Sequence, residues 1–271
     1  MGTVDEHEAC EVGWTTPISV AGRMIGNPLV AVISYLRERP GTVRHYDFVA
    51  GASDKVTAEL IKATRMPWMA SRITAREEAW FIERARTAPW DQVAPDAVLR
   101  DADAEHPEGL YDAASALWDH FWADRPKGIA VAKISKVLYL MRPALFPILD
   151  RRLRSFYGPA AKAAARDVAS HRPEFEDCKW MTWEAIRRDL LNNEAALREI
   201  RGALRGTDCT LASEASANSV ISASWTCSRC PSVPASTPVA AGRRSRSTAS
   251  SACRLSGLRQ VGRHAREGPF G

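Results

Sequence analysis

Two lysines and an aspartate form the most regular pattern of reactive side chains in this chain. They lie in residues 132–158, AKISKVLYLMRPALFPILDRRLRSFYG, which the apolar spacing predicts to be two helices joined by a tight connection. Lys133 and Lys136 are three residues apart and share one face of the first helix. Pro147 at the start of the second helix places Asp150 in its first turn. Amines and carboxylates serve nucleophilic and acid–base catalysis.

The same side chains also have a purely structural interpretation. A carboxylate in the first turn of a helix is stabilised by the helix dipole, by about 0.3–1 kcal/mol, and Asp150 is one turn away from Arg154. Lys133 and Lys136 can form the solvated edge of an amphipathic helix. The predicted core positions are Ile134, Val137, Leu138 and Met141 in the first helix and Leu149, Leu153 and Phe156 in the second.

Residues 127–158 resemble the helix-hairpin-helix segment of DNA glycosylases of the endonuclease III and oxoguanine glycosylase type. In those enzymes a lysine precedes a proline-led aspartate by an interval close to the 17 residues between Lys133 and Asp150. The resemblance implies that Lys133 attacks the sugar carbon as a Schiff-base nucleophile and that Asp150 stabilises the sugar cation or assists proton transfer. The candidate nucleic-acid contacts around this site are Lys127, Lys136, Arg142 and Arg151.

The match to the glycosylase hairpin departs at two positions. The family's hairpin has two glycines that bring backbone N–H groups onto a DNA phosphate, whereas this chain has Gly128 and then Ala130. Asp150 also lies one residue later than the family's spacing requires. The glycosylase-like site is therefore the alternative to a structural hairpin.

A second resemblance covers more of the chain. The segment HYDFVAG at residues 45–51, the polar segment 89–118 and the hairpin follow one another as in a bacterial family known only as a domain of unknown function. The likeness spans about residues 26–200 and implies no substrate, cofactor or catalytic residue.

The positive charge of the chain is concentrated at its C-terminal end. The net charge is +5 over 271 residues, and residues 206–271 account for it with eight arginines and three acids. The 29 basic and 29 acidic residues of 1–205 cancel, which excludes a uniformly electropositive body. Residues 206–271 are rich in serine and arginine without a period, so we predict a disordered tail. Their composition also fits an out-of-frame extension of a GC-rich gene.

Helical spacing recurs through residues 26–205, and no alternating strand pattern of useful length interrupts it. We therefore predict an all-α fold, with one multi-helix domain over 26–205 and the helix-hairpin-helix-like pair at its centre. Residues 1–25 have no clear period and are expected to be loosely ordered. The predicted helices are one opened by Asn27-Pro28, one behind a Ser53/Asp54 cap, one with a capping box from Thr74 to Glu77, one over 110–124, an alanine-rich one over 159–171 and a long amphipathic one over 182–206.

Other short motifs carry little chemistry. His45, Tyr46 and Asp47 are adjacent, which favours a loop anchor over an acid–base pair. Cys10 and Cys178 are predicted to be ordinary thiols. The cysteines and histidine of the tail are too widely spaced for a zinc site, so no metal or other cofactor is expected. These tail residues are Cys227, Cys230, Cys253 and His264.

Two hypotheses about function follow. The first is an α-helical protein without a recognisable catalytic motif, whose hairpin is structural. The second is a nucleic-acid-binding protein or diverged glycosylase-like enzyme that uses Lys133 and Asp150, with DNA as its partner. The zero net charge of residues 1–205 favours the first, the lysine-to-aspartate interval favours the second, and whether the chain is an enzyme stays open. No signal peptide pattern and no apolar run near the ~20 residues that span a bilayer occur, so we expect a cytoplasmic protein without a membrane partner.

Overall fold

The computed structural model describes residues 15–39, 46–51, 53–66 and 71–206. These residues form one antiparallel pair of short strands and nine α-helices, which confirms the all-α prediction. The strands are β1 (Ile18–Val20) and β2 (Arg23–Ile25). The helices are α1 (Pro28–Glu38), α2 (Ala58–Lys62), α3 (Ala75–Ala85), α4 (Leu110–Trp122), α5 (Val131–Met141), α6 (Arg151–Phe156), α7 (Gly158–His171), α8 (Thr182–Asn192) and α9 (Glu194–Gly206).

Two of the predicted helix starts follow the capping signals of the sequence. Asn27 caps α1 by accepting a hydrogen bond from the backbone N–H of Val30. Thr74 and Glu77 form the predicted capping box at the start of α3. The prediction for α2 was wrong by a turn, because Thr57, and not the Ser53/Asp54 pair, caps that helix.

The two helices predicted within residues 132–158 are α5 and α6. Every residue of α5 from Ile134 to Met141 is buried, so this helix runs through the core. The second helix begins later than predicted, at Arg151, because Asp150 is its N-cap residue and accepts a hydrogen bond from the Leu153 N–H. Pro147 therefore precedes α6. The connection is held instead by the Ser135 hydroxyl, which accepts a hydrogen bond of 3.0 Å from the Leu149 N–H.

The long amphipathic helix predicted over 182–206 is two helices, α8 and α9, separated at Asn193. The Asn193 side chain explains the break, since it accepts a hydrogen bond from the Ser19 N–H and donates one to the Ser19 carbonyl. Asp189 on α8 accepts a further bond of 2.7 Å from the Ala21 N–H. The strand pair is thus fastened to the junction of α8 and α9.

The strand pair lies within residues 1–25, where the sequence showed no period. Its strands are only three residues long, too short for an alternation to be recognised. Ala21 and Gly22 join them with φ of 50° and 78°, the left-handed conformations of a two-residue hairpin turn. Residues 1–14 and 207–271 lie outside the described part of the chain, so the division into 1–25, 26–205 and 206–271 stays a prediction.

Cys178 departs from the sequence-based expectation of an ordinary thiol, because it is disulfide-bonded. All other cysteines of the chain lie outside the described residues. The spacing of the cysteines carried no signal for this bond, since disulfide pairing depends on proximity in the fold.

Candidate functional site

One face of α5 carries Lys133, Lys136 and Tyr139 at three-residue intervals, which is helical spacing for neighbours on one face. Each of these side chains has an acidic group nearby from another part of the fold. We call this row the α5 polar row.

Lys133 is held by a carboxylate of α3. Its ammonium lies 2.6 Å from Oε1 of Glu77, and the two side chains are only 15% and 12% exposed. Burial raises the pKa of Glu77, but hydrogen bonds from Lys133 and Thr74 outweigh it and leave the pKa below its ordinary value. A charged, paired ammonium is a poor nucleophile, because attack requires the neutral amine.

The glycine of the predicted phosphate grip faces this ion pair. Gly128 has a φ of 101°, and a Cβ at this position would lie 3.2 Å from Oε1 of Glu77. The glycine is therefore required by its backbone conformation and lies against an internal carboxylate. The anion that Gly128 approaches is the carboxylate of Glu77, which belongs to the protein itself.

Asp150 caps α6 through a hydrogen bond of 2.7 Å from the Leu153 N–H to its Oδ1. Lys136 lies within the electrostatic influence of both Asp150 and Lys133. Burial lowers the pKa of Lys136 to about 8, with Asp150 opposing and Lys133 reinforcing the shift. Lys136 is only 5% exposed.

The four predicted nucleic-acid contacts do not share a surface. Lys127 and Arg151 are exposed, whereas Lys136 and Arg142 are buried. The guanidinium of Arg142 donates hydrogen bonds to the carbonyls of Val93 and Met141. Burial lowers the pKa of Arg142, with Asp54 opposing. Arg142 is therefore part of the interior hydrogen bonding of the fold.

The partner of Tyr139, which no sequence pattern indicated, is Asp47. The Tyr139 hydroxyl donates a hydrogen bond of 2.8 Å to Oδ1 of Asp47, and the Tyr46 hydroxyl donates one of 3.0 Å to the carbonyl of Lys136. The Tyr46 and Tyr139 rings stack with centroids 5.5 Å apart. Burial raises the pKa of Asp47 to about 6, against the hydrogen bond from Tyr139. Tyr46 and Asp47 anchor their segment on α5, while His45 lies outside the described residues.

A second group of charged side chains lies on the outer face of α6. Arg151, Arg152 and Arg154 are exposed, and Leu153 faces the core. Helical geometry puts Arg151 opposite Leu153, with the other two arginines on either side of it. We call these three residues the α6 arginine face.

Within residues 15–39, 46–51, 53–66 and 71–206, no group of three or more histidine, cysteine, aspartate and glutamate side chains is arranged to hold a metal ion. In the same described ranges no helix is long and apolar enough to cross a membrane. The tail cysteines and His264 lie outside them.

Comparison with known proteins gives one match. A model for a family of unknown function, DUF6308, matches residues 37–218, about two thirds of the chain. No curated protein and no solved structure matches the chain. The predicted membership of a domain of unknown function is confirmed, with a range shifted from the predicted 26–200. The helix-hairpin-helix resemblance to DNA glycosylases gains no support.

Proposed function

We propose, from the premise that the chain belongs to the DUF6308 family of unknown function, that its helical domain binds the phosphate backbone of a nucleic acid through the α6 arginine face. The observation that supports this is the charge balance of that face. None of its three arginines forms an ion pair with a carboxylate among the described residues. Asp150, the acid next in sequence, directs one of its carboxylate oxygens to the α6 backbone.

The charge pattern continues into α7. Residues 151–166 contain five basic residues and no acid, which are Arg151, Arg152, Arg154, Lys162 and Arg166. Lys162 is exposed and lies 4.5 Å from the ring centroid of Trp180. A second cation from the strand pair, Arg23, lies 4.7 Å from the ring centroid of Phe156 at the end of α6. The domain is neutral as a whole, so this is a local concentration of charge.

Arginine is suited to phosphate because its planar guanidinium donates two parallel hydrogen bonds to one anionic group. Other arginines in the described part of the chain pair with a carboxylate, which already neutralises their charge. The bond between Arg188 and Asp167 is an example. The α6 arginine face has no such carboxylate competitor in the part of the chain that the structure describes. Binding to phosphates releases counterions, so affinity should fall steeply with salt.

The proposal is tested by fluorescence anisotropy of a labelled oligonucleotide with the full chain and with the triple variant R151Q/R152Q/R154Q. We expect the triple variant to bind at least tenfold more weakly at low salt. The slope of log affinity against log salt should also fall by about 2–3, as expected for the loss of three phosphate contacts.

A matched control removes the same charge elsewhere. The control variant R76Q/R86Q/R198Q replaces three exposed arginines, which are Arg76 on α3, Arg86 directly after the end of α3 and Arg198 on α9. This variant should retain the affinity and the salt slope of the parent. Equal weakening in both variants would show that overall charge governs binding, and no binding by the parent chain would refute the proposal.

A second candidate function is the lysine-dependent chemistry predicted for Lys133 and Asp150. The observation in its favour is that both residues act electrostatically on Lys136. The test is borohydride trapping on abasic-site DNA, with K133A and K136A as separate variants. If the adduct is lost only in K133A, Lys133 is the nucleophile, as predicted. If it is lost only in K136A, the nucleophile is the amine of Lys136. If the parent chain forms no adduct, this candidate function is refuted.

A further inference from the structure

Three buried polar atoms lie on the facing sides of α4 and α8 without a hydrogen-bond partner among the described residues. They are the Tyr111 hydroxyl, the Ser115 hydroxyl and the Trp183 indole N–H. The three residues are 0%, 4% and 3% exposed. A buried polar group without a partner destabilises the folded state, so three in one region need a physical explanation.

The aromatic rings place Trp183 of α8 against the side of α4 that carries Tyr111 and Trp118. The Trp183 ring lies 6.3 Å from the Tyr111 ring and 5.4 Å from the Trp118 ring, centroid to centroid. Tyr111 and Trp118 are two turns apart on α4, about 10.5 Å along the axis. Trp183 therefore bridges the turn between them, and Ser115 is the small polar residue on that turn.

A buried carboxylate also acts on the Tyr111 hydroxyl. Glu184 follows Trp183 on α8 and is 1% exposed. Burial raises the pKa of the Tyr111 hydroxyl above its ordinary value, and the charges of Glu184 and Asp112 add to the effect. Tyr111 is thus a neutral hydroxyl near an anion, although no direct hydrogen bond joins them. Arg187 and Arg188 donate their bonds to Glu184 from the other side.

We propose that Tyr111, Ser115 and Trp183 form a binding site for one ordered water molecule, which we call the α4–α8 polar pocket. The Trp183 N–H can only donate, so the occupant must accept a hydrogen bond. The hydroxyls of Tyr111 and Ser115 both donate and accept, so the occupant can donate to at least one of them. Water meets these requirements with about three bonds, the usual number for an internal water.

The chemistry of the pocket excludes charged occupants. The pocket offers an ion no charged partner, because the Glu184 carboxylate is already paired with Arg187 and Arg188 and the Trp183 indole N–H has no lone pair for a cation. A larger neutral molecule would require the Trp183 ring to move away from Tyr111 and Trp118. The water would join α4 to α8 through three side-chain atoms that have no hydrogen bond to another described residue.

The direction in which the substitution Y111F changes the stability of the protein tests the proposal. In Y111F, loss of a hydroxyl bonded to water should lower the urea midpoint of the full chain, whereas removal of an unbonded buried hydroxyl should raise it. Y46F calibrates the measurement, because Tyr46 loses a direct bond to the Lys136 carbonyl. We expect both variants to lower the midpoint by similar amounts. An unchanged or raised midpoint for Y111F would overturn the proposal.

A second measurement counts the water directly and does not depend on stability. Oxygen-17 relaxation dispersion of the solvent detects internal waters that exchange slowly, in the folded parent and in S115V, whose added methyl group fills the pocket. The expected result is a loss of one long-lived water in S115V and none in S170V, an exposed serine on α7. Equal counts in the parent and S115V would refute the site.

Discussion

Lys133 and Glu77 join the first turns of two helices, since the ammonium of α5 lies 2.6 Å from the carboxylate of α3. Each residue is the third of its helix. The second oxygen of Glu77 accepts a hydrogen bond from the Thr74 N–H, so one carboxylate both closes the capping box and pairs with the lysine. This double use gives Lys133 a structural role in the fold.

Replacement of Glu77 by glutamine separates the two roles of the carboxylate. Glutamine at this position still completes a capping box, but it leaves the half-buried Lys133 ammonium without an anion. We expect E77Q to lower the free energy of unfolding by about 1–3 kcal/mol at pH 7, measured by urea denaturation. The folded-state pKa of Glu77 is lowered, so the stabilisation is present above its ordinary value and is lost as the pH falls through the folded pKa.

The matched control for this prediction is E83Q on the same helix. Glu83 pairs with Arg86, and both side chains are about 70% exposed, at 73% and 69%. An exposed pair contributes little, so E83Q should change stability by less than about 0.5 kcal/mol. A loss in E83Q as large as that in E77Q would contradict the special role of the Lys133–Glu77 pair.

The sequence predicted local structure better than tertiary partners. Thr74 and Glu77 are three residues apart, so their capping box could be recognised from the pattern alone. The partner of Lys133 could not, because Glu77 is 56 residues away and no local rule joins them. Asn193 shows the same limit, since helical spacing continues through it and only its bonds to Ser19 explain the break.

Burial also changed the expected character of charged residues. Lys136 lies at a position that the helical pattern allowed at a solvated edge, yet the structure buries it against neighbouring elements. Periodicity identifies the most apolar face of a helix but not whether a helix is surrounded on all sides. The α6 arginine face was predictable only in part: Arg151 was a candidate contact, Arg154 was considered only as a neighbour of Asp150, and Arg152 was not singled out.

Asp47 should make the stability of the protein depend on pH in the acidic range. Its folded-state pKa is raised to about 6, so its contribution is present below its ordinary pKa of 3.8 and is lost as the pH rises through 6. The asparagine of D47N can still accept the bond from Tyr139 but does not titrate. Relative to D47N, the free energy of unfolding of the parent should fall by about 3 kcal/mol between pH 3.5 and pH 7.5.

Urea denaturation across this pH range measures the Asp47 effect. D96N serves as the control, since Asp96 is exposed in a connection between helices. The stability difference between the parent and D96N should stay nearly constant. A constant difference between the parent and D47N would show that Asp47 does not titrate abnormally.

Lys136 should produce a pH dependence of the opposite sign in the alkaline range. Its folded-state pKa is lowered to about 8 from 10.5, so the unfolded chain binds more protons between these values and stability rises with pH. K136M removes the titration but keeps an apolar chain of similar length. The free energy of unfolding of K136M should exceed that of the parent at pH 7, and this difference should shrink by about 3 kcal/mol between pH 7 and pH 11. An advantage that grows over this range would contradict the proposed shift.

Asp150 connects the structural and chemical interpretations of the hairpin, and two substitutions separate them. D150A removes the N-cap of α6 and should lower the free energy of unfolding by about 1 kcal/mol, whereas D150N keeps a capping oxygen and should be nearly neutral. D150N also removes the charge that raises the pKa of Lys136, so the Lys136 amine should titrate lower than in the parent. NMR titration of the lysine side chain measures this shift, with D167N on exposed α7 as the control. An unchanged or higher pKa of Lys136 in D150N would show that the two groups do not interact, and any glycosylase-like chemistry would then lose the geometric link between Asp150 and an amine of α5.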